Sequence, residues 1–216
     1  DGLFGVMKPG GVIVWVVGDQ VVDGSETGTS FKQALYFKEV GFNLFDTMIY
    51  EKDAPAFPAR RSGNRYSQIF EFMFILSKGK PKTHNLICDK KNIWGGQKTF
   101  GKVSHREVDG SLSVGEQIVI NEYSPRNNIW RIPCGFNKST SDKEAYKHPA
   151  IFPEKLAEDH ILTWSSEGDL VLDPMCGSGT TLLMALKNNR NYLGFDISQE
   201  YVDLSTERIE KWKMQQ

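Results

Sequence analysis

Three apolar runs and one periodic stretch organise the first eighty residues. Val12-Ile-Val-Trp-Val-Val17 is continuous, rich in β-branched residues and introduced by the turn Lys8-Pro-Gly-Gly11. The pattern predicts a strand covered on both faces, the mark of a parallel sheet. From 31 to 40 apolar residues fall at Phe31, Ala34, Leu35, Phe37 and Val40, and the run closes on Gly41, which predicts a helix. Residues 42–50 read as a second strand and 68–76 as a third, with a loop rich in Pro and Arg between them. Strand, helix, strand is the α/β alternation.

Between 79 and 147 the periodicity fades under Gly, Asn, Lys and Ser, with strand-like pieces only at 117–120 and 129–132. An inserted, loop-rich module is expected there. Order returns at His148-Pro-Ala-Ile-Phe-Pro153, where Pro153 suits the first turn of a helix with Leu156, Ile161 and Trp164 near one face. A strand at 170–173, a loop at 174–179, a helix at 180–189, a strand at 191–195 and a helix at 199–213 follow. The chain thus divides into 1–79, 80–147 and 148–216, the outer two belonging to one sheet.

Composition narrows the class without naming it. A chain of 216 residues that is 39% hydrophobic and 25% charged is neither disordered nor collagen-like. No run approaches the roughly 18 apolar residues of a membrane span, and the N-terminus does not read as a signal peptide. Cys88, Cys134 and Cys176 stand more than forty positions apart, so reduced thiols in a soluble, cytoplasmic protein are expected, with no metal site. Charge is uneven: the segment 52–106 carries +9, and the remainder −10. Tyr66, Trp94 and Phe100 lie among those basic residues, which favours a nucleic-acid face over a merely solvated one.

The chemistry concentrates in Asp173-Pro-Met-Cys-Gly-Ser-Gly-Thr-Thr181. A strand delivers the chain to a glycine turn, where Gly177 and Gly179 let the backbone approach a ligand and the following helix start offers N–H donors. Seventeen residues beyond Gly179, at the end of the next strand, stands Asp196, placed to accept from ribose hydroxyls. A dinucleotide loop would carry a third glycine where Leu182 stands, and a P-loop would carry Gly-Lys-Ser/Thr; neither occurs. The hydroxyls of Ser178, Thr180 and Thr181 suit a carboxylate, and Asp173 suits an amine. A nucleoside bearing an amino acid, S-adenosyl-L-methionine, fits better than NAD or ATP.

In these residues, together with His148-Pro-Ala-Ile-Phe-Pro-Glu-Lys-Leu156, Gly194-Phe-Asp-Ile197, Lys8-Pro-Gly-Gly11 and Glu71-Phe-Met-Phe-Ile-Leu-Ser-Lys-Gly79, the chain resembles the amino-methylating DNA methyltransferases in their permuted (beta-type) order. Met175 departs mildly from the family's usual Phe. The resemblance implies a Rossmann-like methyltransferase sheet with an inserted target-recognition region at about 80–145. It implies methyl transfer to adenine N6 or cytosine N4 of a flipped base in double-stranded DNA, with a cognate restriction endonuclease as a partner to be sought. His148, Ala150, Phe152, Asp173, Met175, Gly177, Ser178, Gly179, Thr180, Thr181, Phe195 and Asp196 would hold the cofactor. Arg60, Arg61, Arg65, Lys90, Lys91 and Lys98 would meet DNA.

One family element has no counterpart. The catalytic Asp/Asn/Ser-Pro-Pro-aromatic tetrad precedes the Lys-Pro-Gly-Gly turn in the family, and no Pro-Pro pair occurs in this sequence. The expectation is a fragment truncated at its N-terminus, with an incomplete sheet lacking the strand between 170–173 and 12–17. Such a chain would be marginally stable and transfer no methyl group. The rival readings are a DNA-binding fragment without catalysis and a nicotinamide oxidoreductase of Rossmann type.

Overall fold

The computed structural model describes residues 2–53, 65–99, 103–115 and 117–215. In chain order its elements are α1 (Gly2–Val6), β1 (Val12–Val17), the small ribbon β2 (Val21–Val22) and β3 (Ser25–Glu26), α2 (Thr29–Val40), β4 (Asn43–Glu51) and β5 (Phe70–Ser77). Next come β6 (Lys90–Lys91), β7 (Val103–Arg106), β8 (Leu112–Gly115), β9 (Tyr123–Ser124) and β10 (Ile129–Arg131). A 3-10 turn at Lys143–Lys147 leads to α3 (Glu154–Trp164), β11 (Leu170–Asp173), α4 (Thr180–Lys187), β12 (Asn191–Gly194) and α5 (Gln199–Lys213). The chain forms two compact units, Asp1–Asn85 with Asn128–Gln216, and Leu86–Asn127.

The larger unit holds a four-stranded sheet in the order β1-β5-β4-β10 and a separate pair, β11-β12. β5 is its spine because its side chains alternate between two covered faces. Phe74 and Leu76 pack with Ala34 of α2 and with Phe42, edged by Phe4 and Trp15. Met73 and Ile75, fully buried, point the other way. There the Met73 sulfur meets His160 of α3, whose ring stacks on Trp130 of β10 at 4.5 Å. Gly41, at φ +116°, ends α2 with its N–H on the Lys38 carbonyl (3.0 Å), a left-handed cap that glycine adopts without strain.

Three sequence expectations need correction. β1 lies antiparallel to β5, Val12 opposite Ser77 and Val17 opposite Phe72, and all six of its residues are only half-buried. An apolar β-branched run reports burial but not the direction of the neighbour, and β4 also runs antiparallel to β5. The parallel pairs are β4 with β10 and β11 with β12. The strand-like piece at 117–120 forms a single bridge, Val119 to Lys98. Finally, α4 stops at Lys187, two residues early, because Asn189 turns left-handed at φ +62°.

The smaller unit is built from two-stranded ribbons, β6 with β9 and β7 with β8. The two residues that flank it in the chain, Asn85 and Asn128, are both fixed within the larger unit. The Asn85 N–H donates to the Thr163 carbonyl (2.8 Å) and its side-chain amide to the carbonyls of Leu162 and Ser165. The Asn128 carbonyl accepts from the Ile49 N–H (2.8 Å) and its side chain donates to the Thr47 carbonyl (3.2 Å).

Candidate functional site

β11 and β12 run parallel, with Asp173 opposite Gly194, and their pairing continues into the segments that follow. The Phe195 N–H donates to the Asp173 carbonyl (3.0 Å) and the Cys176 N–H to the Phe195 carbonyl (2.9 Å). The glycine loop is therefore zipped onto the segment carrying Asp196. The Asp173 carboxylate accepts from the Met175 N–H at 3.0 Å, which starts the turn.

Asp196 closes the arrangement. One carboxylate oxygen accepts from the Gly177 N–H at 2.8 Å, the other from the Ser198 N–H at 3.0 Å. The N–H groups of Ser198 and Gly177, with His148 nearby, hold this carboxyl below the usual range, so it is ionised at neutral pH. Gly177 and Gly179 sit at φ +50° and +77°. A Cβ on Gly177 would lie 3.0 Å from the His148 ring nitrogen Nε2. The His148 ring rests edge-on against Tyr201 at 4.3 Å, and the Ala150 backbone closes on its Nδ1, with the N–H at 3.1 Å. Phe152 packs on the core between α3 and α4. The three segments singled out in the sequence, 148–152, 173–181 and 195–196, thus meet at one place.

Other predicted residues are distributed as follows. Ser178 and Thr180 are buried, their hydroxyls 3.5 Å apart, while Thr181 is half-buried. α4 begins at Gly179 without a side-chain cap, so its first N–H donors have no side-chain acceptor. Met175 and Phe195 are exposed. Arg65 donates to the Gly24 carbonyl in the larger unit, whereas Lys90, Lys91 and Lys98 are exposed on the smaller one. Arg60 and Arg61 lie outside the described residues. Cys176 is buried, and burial followed by the charges of Asp173 and Asp196 pushes its thiol up, which keeps it an unreactive packing group. Among the described residues there is no cluster of three or more His, Cys, Asp or Glu able to hold a metal ion, and no helix long and apolar enough to cross a membrane.

Sequence reasoning missed Arg208. Its side chain is 1% exposed and points from α5 into the loop, donating to the Ser178 carbonyl and, at 2.7 Å, to Asp142. Glu154 lies 3.9 Å from the same guanidinium. The signal was present: Leu204, Ser205, Arg208 and Ile209 form the buried face of α5, and an arginine on a buried face requires a partner. Tyr201, which packs on His148, was also passed over, and Ile197, quoted in the motif but given no role, is fully exposed beside Asp196.

An apolar cavity of about 490 Å³ lies beside this loop, lined by Phe4, Phe37 and Phe42 from one side and Leu172, Pro174 and Phe195 from the other. β1 and β11 share no sheet.

Comparison with known proteins places this geometry in a family. Residues 3–207 match the model of the N6_N4_Mtase family, described as DNA methylase. The chain is 60% identical over 211 residues to an orphan methyltransferase, M.BamHII of Bacillus amyloliquefaciens, covering 97% of this chain and 78% of the relative. It is 36% identical to the Type II methyltransferase M2.DpnII of Streptococcus pneumoniae, over 95% of this chain and 62% of that protein's length. Among solved structures, the cytosine-N4-specific PvuII DNA methyltransferase superposes with a TM-score of 0.67 at 22% identity, over 94% of this chain and 64% of that one. The putative DNA modification methylase TTHA0409 of Thermus thermophilus, complexed with S-adenosyl-L-methionine, gives 0.61 at 24% over 97% and 72%. The fold is that of these enzymes, and the chain belongs to the N6/N4 DNA methylase family.

Proposed function

We propose that this chain is the cofactor-binding and target-recognition part of a permuted (beta-type) DNA methyltransferase that methylates an exocyclic amine, adenine N6 or cytosine N4. S-adenosyl-L-methionine is the cofactor, and supplies a methyl group made electrophilic by its sulfonium. The observation that carries this reading is the meeting of Gly177, Asp196 and His148 at one loop. The uncapped start of α4 suits the cofactor's carboxylate, Asp173 its ammonium, and the ionised Asp196 its ribose hydroxyls. The exposed Met175, Phe195 and Ile197 offer apolar surface for the adenine. Residues 148–152 form the near wall.

Calorimetry with S-adenosylhomocysteine and with NAD tests this reading. S-adenosylhomocysteine is expected to bind and NAD not. Asp196→Asn is expected to weaken binding by about 10- to 100-fold, since hydrogen bonds to a charged group contribute roughly 1.5–3 kcal/mol. Binding of NAD instead would replace the reading with a nicotinamide oxidoreductase.

Double-stranded DNA is the substrate, held by the region 80–147 with Lys90, Lys91 and Lys98, and by Arg60, Arg61 and Arg65. The target base rotates out of the duplex, because its amine is unreachable within the stack. One relative is an orphan methyltransferase, so the reading does not require a cognate restriction endonuclease. The Pro-Pro tetrad, absent from these 216 residues, belongs on a strand seated between β1 and β11, which lie in separate sheets, with Leu172 of β11 lining the apolar cavity. Residues 1–216 alone are therefore expected to transfer no methyl group to DNA in a tritium-transfer assay. Turnover by this chain alone would show that the tetrad is dispensable.

A further inference from the structure

The smaller unit exposes an unusual tip. Ile93 is 90% and Trp94 53% exposed, on a turn between residues 92 and 97. Isolated exposed aliphatics are common, but this pair sits on a backbone fixed from several sides. The Asn92 N–H donates to the Glu122 carbonyl (2.8 Å), its side-chain amide to the Asn121 carbonyl (2.8 Å), and Ser124 donates to its side-chain oxygen (3.1 Å). Inside the turn, the Gly95 N–H reaches the Asn92 carbonyl (3.2 Å) and the Gln97 N–H the Trp94 carbonyl (3.1 Å). The Gly96 N–H and the Gln97 carbonyl both bond the Ile120 backbone at 2.8 Å. Gly95 lies so close to the opposite strand that a Cβ there would come within 2.7 Å of the Glu122 Cα. The turn is held in one shape, and it presents a β-branched side chain with few rotamers to solvent.

The charges around this tip favour a polyanion. The sequence from Lys90 to Arg106 contains five basic residues and no acid. Asp89, just before it, is paired to Arg126. Lys90, Lys91 and Lys98 are exposed, and among the described residues none of the three forms an ion pair with a carboxylate; Glu122 lies across the turn from Gly95. An apolar wedge flanked by lysines is the chemistry by which proteins part a base step while holding the adjoining phosphates.

We propose that Ile93, backed by Trp94, inserts into a base step of duplex DNA while Lys90, Lys91 and Lys98 contact the flanking phosphates. The inference rests on the DNA methyltransferase reading and adds to it a residue that loosens the stack. Its test uses the full chain with a random-sequence 30-bp duplex, followed by anisotropy across salt concentrations. In parallel, closed circular plasmid is relaxed by a topoisomerase in the presence of the protein, so that unstacking is read as a change in linking number.

Ile93→Ala is expected to weaken DNA binding about tenfold and to remove most of the linking-number change at equal occupancy, with the salt slope unaltered. Ile93→Leu should keep both. Lys91→Ala should lower the salt slope by about 0.9, the contribution of one phosphate contact. Wild-type affinity and unwinding in Ile93→Ala overturn the inference and leave the methyltransferase reading intact. So does a fall of affinity and slope together, which would make Ile93 a support for the lysines. A changed sedimentation coefficient of the free variant would also overturn it, by assigning the tip to a contact between copies. If the wild-type chain shows no salt-dependent DNA binding, reading and inference fall together.

Discussion

Gly179→Ala is expected to destabilise the chain by about 2–5 kcal/mol and to abolish cofactor binding. The added Cβ would lie 2.6 Å from the Ser205 Cβ and 3.1 Å from its Cα. No rotamer relieves that contact, because it involves the stem of a residue in α5 rather than a flexible tip. Forcing a methyl group into a packed interior costs roughly 1–3 kcal/mol. The residue also stands at φ +77°, where a side chain adds a further ~1–2 kcal/mol. The midpoint of urea unfolding and calorimetry with S-adenosylhomocysteine measure the two losses. Wild-type stability in this variant would mean that α4 and α5 do not approach as described. Ser205→Gly should recover part of the loss, since it removes the side chain the new methyl meets.

Replacing Arg208 by Met should cost about 3–5 kcal/mol, the usual penalty for removing one partner of a buried ion pair. Two groups lose a donor together, the Asp142 carboxylate and the Ser178 carbonyl, and Glu154 loses a counter-charge 3.9 Å away. Asp142→Asn in the same background should return part of the stability, as an amide tolerates the site without a counter-charge, and a double-mutant cycle reports the coupling. Burial raises the Asp142 carboxyl, but the Arg208 guanidinium and the Glu144 N–H more than offset this and leave it below the usual carboxylate range. A carboxyl depressed in the folded state contributes stability fully above its unfolded pKa, about 3.9, and loses it as pH falls through the folded value. Acid unfolding of the wild type should therefore steepen below about pH 4, and Arg208→Met should flatten that limb. An unchanged acid limb would mean that the pair does not couple to folding.

How much of this was legible in the sequence depends on the kind of signal. The periodic elements were: the run at 12–17 became β1 with the expected bounds, and α5 occupies Gln199–Lys213 as its spacing indicates. The geometry of the glycine loop was legible because a tight strand-to-helix turn with positive φ demands glycine. Gly177 and Gly179 both adopt positive φ, and Asp196 meets the first of them. Strand direction was not, since Val-Ile-Val-Trp-Val-Val reads alike beside a parallel or an antiparallel neighbour. Between 86 and 127 the ribbons are held by backbone bonds between residues far apart, such as Asn92 with Glu122, and leave no periodic trace in the side chains. Arg208 was overlooked because a long amphipathic helix rich in Glu and Lys reads as solvated unless each buried position is checked.

The asparagines at 85 and 128 have a consequence for how such chains diversify. Each bonds main-chain carbonyls or amides of the larger unit through its own backbone and side chain, so the anchoring does not depend on what lies between them. Forty-two residues, Leu86–Asn127, are thereby bracketed by fixed points in the larger unit, which also carries the glycine loop. On the reading proposed above, a different insert grafted across those two joints would change which DNA sequence is read and leave the proposed cofactor loop as it was.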